Sequence, residues 1–361
     1  MEKVFDAHIH HSFDIPMDET IQIFKEEFEQ TATNGGVFLS VPHHAPFAKL
    51  EFNFMQNLRV LFLKKVFSPD YFAFAGLEHP MTATDDKTLA DLFLKQAETA
   101  IAVGYDGFKM LEGYPNMRKA LNRPLCDKVY DKFYSFMEEN GLPITMHLAN
   151  PANYWDINGV TPWIIKAGRY CDETYPTKAQ LHEEVEQIMK KHPKLRFTLA
   201  HFGFMSYDVE QARRWLNDYE YTMLDTTPGG EQFMKMQETW EEEWLPFFVE
   251  QQDRIIYGTD FYARPRNEDG SVATMLSARF IRRYFETDTV HTNVHGKEYR
   301  GVNLDPVIRT KIYSGNAKRV LGAPKKIDLE YMRKKAEELS RLPNKDVKFA
   351  DSDIQYILAH I

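Results

Sequence analysis

The chain has 361 residues, 43% hydrophobic and 14% aromatic, with 44 Lys and Arg against 53 Asp and Glu for a net charge of -9. That apolar content argues against disorder, and the lack of any basic block argues against nucleic acid as a partner. Two cysteines, Cys126 and Cys171, are too few for a disulfide framework. No run of about 18 apolar residues offers a membrane span, and the start lacks the apolar stretch of about 7–15 residues that a signal peptide needs. A cytoplasmic protein without membrane or nucleic-acid partners is expected.

In chain order, eight short runs read as strands: 4–10, 36–42, 71–79, 107–111, 142–148, 196–202, 221–225 and 255–260. Each is apolar on both faces, as strands of a covered parallel sheet should be. Helical patterns lie between them. Ile21, Phe24 and Phe28 share a face, as do Leu89, Leu92 and Phe93, then Val129, Phe133, Phe136 and Met137, then Leu181, Val185, Ile188 and Met189. Thr177 and Gln180 have capping-box spacing, and Gly35 and Gly141 stand where helices want a left-handed end. Eight such units predict a (β/α)8 TIM barrel with extended βα loops. An open doubly wound sheet is the alternative, but its first turn is usually Gly-rich, and here that turn carries histidines. The long connections 149–176, 226–254 and 261–312 are expected to wall the site or to make subunit contacts, and a homodimer is expected. The barrel is placed at 1–322. Residues 323–361, with Leu329, Met332, Ala336 and Leu339 at helical spacing, are expected to form a helical extension packed on it.

The histidines follow this pattern. His8 and His10 are two apart on the first strand and should point to one side. His147 ends the fifth strand, His201 lies in the sixth, Asp260 ends the eighth, and Lys109 lies in the fourth. In a barrel these C-terminal strand ends meet at one mouth. Any one of these histidines alone is as readily a core residue as a ligand; five potential ligands on four strands are a far more specific signal. Nitrogen and oxygen donors suit Zn²⁺, Fe²⁺, Mn²⁺ or Co²⁺. A divalent metal is expected, Zn²⁺ first, as one ion with two as the alternative. His182 and His192 on a helix and His360 near the end are read as solvated surface. His43, Glu78, His79, Tyr114 and Asp225 fall near the mouth by position. Arg118, Trp155 and Arg264 are the substrate-binding candidates, since a guanidinium fork there implies a carboxylate or phosphate.

The start Asp6-x-His8-x-His10, the endings Pro143-Ile144-Thr145-Met146-His147 and Ala200-His201-Phe202-Gly203, the stretch Tyr257-Gly258-Thr259-Asp260 and the closing Gly315-Asn316-Ala317-Lys318-Arg319 resemble the amidohydrolase superfamily. The chain is similar, over roughly 1–322, to its amidohydrolase-2 branch, which includes aminocarboxymuconate-semialdehyde decarboxylase and related hydrolases and hydratases. The resemblance implies that His8, His10, His147 and Asp260 ligate a catalytic metal, with His201 beside it as ligand or acid. It leaves Lys109 with two readings. As a carbamate it would bridge two metals; as an ammonium it would grip a substrate carboxylate. The expected chemistry is metal-activated water, its pKa lowered from about 15.7 to about 7. Asp260 would move the proton, and His201 would polarise the substrate oxygen. The expected function is hydrolysis of an amide, ester or lactone in a small acidic molecule. Decarboxylation or hydration on the same scaffold is the alternative. A barrel that binds metal without turnover is disfavoured by the acid/base group at Asp260.

Overall fold

The computed structural model describes residues 1–12, 14–44, 51–52, 55–80, 82–227, 232–268, 270–272, 275–293, 296–342 and 349–361. The central strands are β1 (Val4–His11), β2 (Thr33–Leu39), β3 (Tyr71–Gly76), β4 (Gly107–Gly113), β5 (Pro143–Leu148), β6 (Arg196–Leu199), β7 (Thr222–Asp225), β8 (Ile255–Ile256) and β9 (Phe261–Ala263). They pair in parallel in the order β8-β7-β6-β5-β4-β3-β2-β1-β9. β8 and β9 are two halves of one strand, split by residues 257–260. The Ala7 N–H donates to the Tyr257 carbonyl at 2.9 Å, and Ile9 pairs with Phe261. The eighth strand therefore meets the first, and the fold is a (β/α)8 TIM barrel.

The barrel helices are α1 (Met17–Thr31), α2 (Gln56–Phe67), α3 (Asp86–Val103), α4 (Asp131–Glu139), α5 (Lys178–Lys191), α6 (Val209–Asp218), α7 (Leu245–Glu250) and α8 (Asn316–Leu321), and further helices, Pro115–Leu121 and Met275–Glu286 among them, lie in the connections. α5 begins on the expected capping box, with both reciprocal bonds of Thr177 and Gln180 formed. α1 turns Phe24 against Phe38 of β2 and Phe28 against Tyr71 of β3. Leu92, expected on the inner face of α3, is exposed. Gly35 does not end a helix. α1 stops at Ala32 in the left-handed region, and Gly35 lies in β2, where a Cβ would come within 2.8 Å of the Phe5 ring. Gly141, with φ 61°, does follow a helix end.

Phe5, Val37, Leu39, Phe72, Phe74, Met223 and Ile256 come from opposite sides of the sheet and fill the barrel interior, with Ala317 beneath them. This apolar plug leaves the C-terminal strand ends as the mouth. The register of β1 on β2 slips between Asp6 and Ile9, so alternation breaks there. Phe5 and Ala7 join the plug, and His8 and His10 still face the mouth.

Beyond the barrel lie α9 (Leu329–Ser340), which buries Met332, Ala336 and Leu339, and α10 (Ala350–Ala359), which buries Ile354 and Ile357. The buried pair Arg59–Asp353, at 3.4 Å, ties α10 to α2. Asp353 also accepts the Met17 N–H at 2.8 Å, at the start of α1. Among the described residues no helix is long and apolar enough to cross a membrane.

Candidate metal centre

The site is built from outer hydrogen bonds inward. His8 Nδ1 lies 2.7 Å from Asp225 Oδ2. A carboxylate only accepts, so Nδ1 carries the proton and Nε2 presents a lone pair. His10 Nδ1 lies 3.0 Å from the Leu39 carbonyl, which fixes the same tautomer. The two Nε2 atoms then face each other at 3.1 Å with no hydrogen between them. Two lone pairs at that separation repel unless a cation sits against them. Asp260 Oδ1 adds a carboxylate 3.5 Å from His8 Nε2 and 3.6 Å from His10 Nε2. One ligand atom from each of His8, His10 and Asp260 lies within 4.8 Å of the other two.

A second pair repeats the logic. The Thr227 hydroxyl donates to Asp225 Oδ1 at 2.7 Å, so its oxygen accepts the His201 Nδ1–H at 2.8 Å. His201 Nε2 is therefore a lone pair. His147 donates its Nε2–H to the Ala149 carbonyl at 3.0 Å, leaving Nδ1 bare. These two bare nitrogens stand 3.2 Å apart, and the His8 and His201 rings lie 5.5 Å centre to centre. Asp225 thus sets His8 directly and His201 through Thr227, the outer-shell carboxylate arrangement that orients metal-binding imidazoles.

Protonation does not relieve this crowding. Burial, then the Lys109 charge, pushes His147 down to about 3. Burial likewise holds His8, His10 and His201 well below the usual histidine range. Among the described residues His8, His10 and Asp260 are the donor set brought close enough to fit one divalent metal, while His147 and His201, expected with them, form a neighbouring neutral pair outside that group. His201 does not present the donor expected for polarising a substrate oxygen, because its one N–H is held by Thr227.

The local backbone is strained to reach this geometry. His201, Phe202 and Phe204 have φ of 56°, 54° and 53°, and Asp260 has φ 56°. Left-handed residues with a side chain cost about 1–2 kcal/mol each. At His201 the turn is held by its own N–H, which donates to Asp225 Oδ1 at 2.8 Å and Thr227 Oγ1 at 2.9 Å. At Asp260 the N–H donates to the His8 carbonyl at 3.0 Å. The neighbouring Thr259 hydroxyl and N–H bind Asp6 at 2.5 and 3.1 Å. Gly258 is needed here, since a Cβ would lie 2.9 Å from His8 Cβ.

Lys109 is buried, and its Nζ donates to His8 Nε2 at 3.2 Å. Burial lowers its pKa, against the pull of Asp225, Asp260 and Glu112. Asp260 is raised by burial and lowered by Lys109, Arg264 and Arg169. Its side chain, 34% exposed, is the most open of its cluster.

The substrate-binding candidates divide. Arg264 lies 4.9 Å over the Tyr262 ring, which stacks on His10 at 4.6 Å, so it belongs to the rim. The Arg118 fork is instead filled by Glu184, with contacts of 2.9 to 3.3 Å, a pair formed within the chain. Trp155 donates its indole N–H to the Pro176 carbonyl at 3.0 Å and packs its ring on the core. Arg169, whose charge reaches Asp260, carries no motif and was not singled out by the sequence. Tyr114 meets His147 edge-on at 5.2 Å. His182 and His192 are buried, not solvated; His182 lies 3.1 Å from the Gly203 carbonyl, under the strained turn.

None of the curated proteins matches the chain. Among solved structures it is similar to an uncharacterised TIM-barrel protein, Bb4693, from Bordetella bronchiseptica, at 13% identity and TM-score 0.56, over 89% of this chain and 98% of that one. It is similar to 4-oxalomesaconate hydratase, LigJ, from Rhodopseudomonas palustris at 16% identity and TM-score 0.54, over 88% and 95%. A dihydroxybenzoic acid decarboxylase from Polaromonas sp. JS666, with bound manganese and the inhibitor 2-nitroresorcinol, matches at 14% identity and TM-score 0.53, over 89% and 97%. The amidohydrolase family model matches residues 88–323, more than half the chain and inclusive of Lys109, His147, His201 and Asp260. The chain belongs to the amidohydrolase family of metal-dependent enzymes.

Proposed function

We propose that the protein is a metal-dependent hydrolase acting on an amide, ester or lactone bond of a small acidic molecule. The observation that carries this reading is the convergence of the His8 and His10 lone pairs and the Asp260 carboxylate beside a buried lysine, with the His147–His201 pair next to them. His8, His10 and Asp260, joined by His147, would hold one divalent ion, with Zn²⁺ the first candidate. When bound, the metal supplies Lewis acidity and a water of lowered pKa. Asp260, the most open of the ligand carboxyl and imidazole groups in its cluster, takes the water's proton and passes it to the leaving group. His201 Nε2 accepts and does not donate in its fixed tautomer, so it serves as a further ligand or base. Lys109, kept as an ammonium, holds a substrate carboxylate next to the reacting centre.

A second reading is decarboxylation or hydration. A cation beside the metal ligands suits a carboxylate at the reacting position, and a hydratase and a decarboxylase share this fold. Metal analysis combined with a screen of lactones, esters and amides against unsaturated carboxylic acids separates the two. About one divalent ion per chain is expected, with turnover in the first class. His8→Ala, His147→Ala and Asp260→Ala should each retain little metal. Full metal occupancy in all three variants would remove the site, and turnover confined to unsaturated acids would select the lyase.

A further inference from the structure

Behind the His147–His201 pair the backbone takes a rare course. His201, Phe202, Gly203 and Phe204 follow one another in the left-handed region, with φ of 56°, 54°, 57° and 53°. Residues with a side chain enter that region singly, and a run of them needs support from outside. The start of the run is held from the mouth, where Asp225 and Thr227 accept the His201 N–H. Its far end is held from outside the barrel, by two donors that the proposed reaction does not use.

Lys178, in the first turn of α5, donates from Nζ to the Phe204 carbonyl. His182 stands one turn further along the same helix face, with its Nε2 3.1 Å from the Gly203 carbonyl. Its tautomer is set from its other side. The side-chain amide nitrogen of Gln211, on α6, lies 3.0 Å from His182 Nδ1. An amide nitrogen only donates, so Nε2 carries the ring proton and gives it to Gly203. The His182 ring is buried and meets Trp215 at 5.2 Å. The capping box at Thr177 pins the start of α5. One helix face thus takes the last two carbonyls of the left-handed run.

What the run aims is a ring. Phe204 is buried, stacks on His201 at 5.1 Å centre to centre, and reaches the His147 ring at 5.7 Å. We infer that Lys178 and His182 are positioning residues for the His147–His201 pair. By holding the Gly203 and Phe204 carbonyls they keep Phe204 against both imidazoles and His201 within reach of Thr227. The catalytic weight of this arrangement rests on the reading of His201 as ligand or base; the positioning itself does not.

The test follows the His201 Nδ1 proton, held by Thr227 at 2.8 Å. Its exchange is read in spectra of the full chain labelled with ¹⁵N at histidine, with Zn²⁺ present. The His8 Nδ1 proton, held by Asp225, is the internal reference. Lys178→Met removes one donor at similar length. The His201 proton should then exchange about tenfold faster relative to that of His8, the scale of one lost hydrogen bond. His182→Leu should act alike through the other carbonyl. Lys178→Arg keeps a donor and should return the ratio to within about twofold of wild type. Should His182→Leu not fold, the two Lys178 variants carry the test. An unchanged ratio in either donor-deleted variant, equal acceleration of both protons, or no recovery in Lys178→Arg overturns the assignment. The proton belongs to the chain, so it reports whether or not an ion is bound, and a negative result leaves the proposed reaction standing.

Discussion

The two halves of the barrel mouth use the same residue types to opposite ends. At the ends of β1, β5 and β6, each imidazole has its outer nitrogen fixed by a carboxylate, hydroxyl or carbonyl, so its inner nitrogen is a bare lone pair. Beyond β2 and β3, His43 turns both ring nitrogens to the backbone of His79, and His79 serves Glu112. Among the described residues nothing there gathers into a metal-ligand cluster. Histidine count does not separate a metal centre from a scaffold; the outer hydrogen bonds do. Lys109 stands between the halves, donating to His8 and lining a small cavity beside Glu112.

The largest effect should come from breaking the hub of the first half. Asp225→Asn exchanges an obligate acceptor for an amide that can turn a donor toward His8 or His201. Metal affinity should drop by about 10–100-fold, the usual scale for losing an outer-shell carboxylate. His79→Gln, the matching change across the mouth, should leave metal affinity within about twofold. Calorimetric metal titration of both variants checks the pair. Equal losses would erase the distinction between the halves.

A smaller, graded effect follows from pH. His147 is pushed down to about 3 and its three neighbours well below 6.5. A depressed histidine pKa means that the unfolded chain takes the proton first. The stability these residues contribute is present above about pH 6.5 and is lost as pH falls toward 3. Asp6 and Asp260, both raised to about 7 by burial, and Glu27, raised to about 8, work in the opposite sense: their contribution is full below about pH 4 and lost as pH rises through 7 to 8. The histidines held down by burial, with His11, His43 and His182 among them, outnumber these three carboxyls. The metal-free protein should therefore unfold at progressively lower denaturant concentration between pH 6.5 and 4. A midpoint unchanged over that range would show that the imidazoles are not held neutral.

Much of this was legible in the sequence, for definite reasons. Strand ends converge in a barrel, so His8, His10 and Asp260 could be placed together from spacing alone. The register slip in β1, between Asp6 and Ile9, did not spoil that placement, because His8 and His10 still share a face. What spacing could not show was the outer layer. Asp225 was visible only as a residue near the mouth. Its work depends on Thr227, whose hydroxyl links it to His201 through a left-handed turn. Carbonyl partners such as Leu39 and Ala149 leave no trace in residue type. The reverse error befell Arg118, where a guanidinium near the mouth met Glu184 of α5, 66 positions along the chain. Buried His182 and His192 were misjudged because polar helix positions facing a strained turn or a neighbouring glutamate look like surface in sequence.

The claim that most depends on the structure is that His8 and His10 both carry their proton on Nδ1 and turn bare Nε2 atoms inward. Long-range ¹H–¹⁵N correlation spectra of the metal-free protein, labelled at histidine, report the protonated nitrogen of each ring directly. Assignment of the two rings comes from His8→Gln and His10→Gln. The geometry predicts Nδ1–H on both, with both Nε2 resonances shifting when Zn²⁺ is added. An Nε2–H on either ring, or Nε2 resonances that ignore the metal, would contradict it.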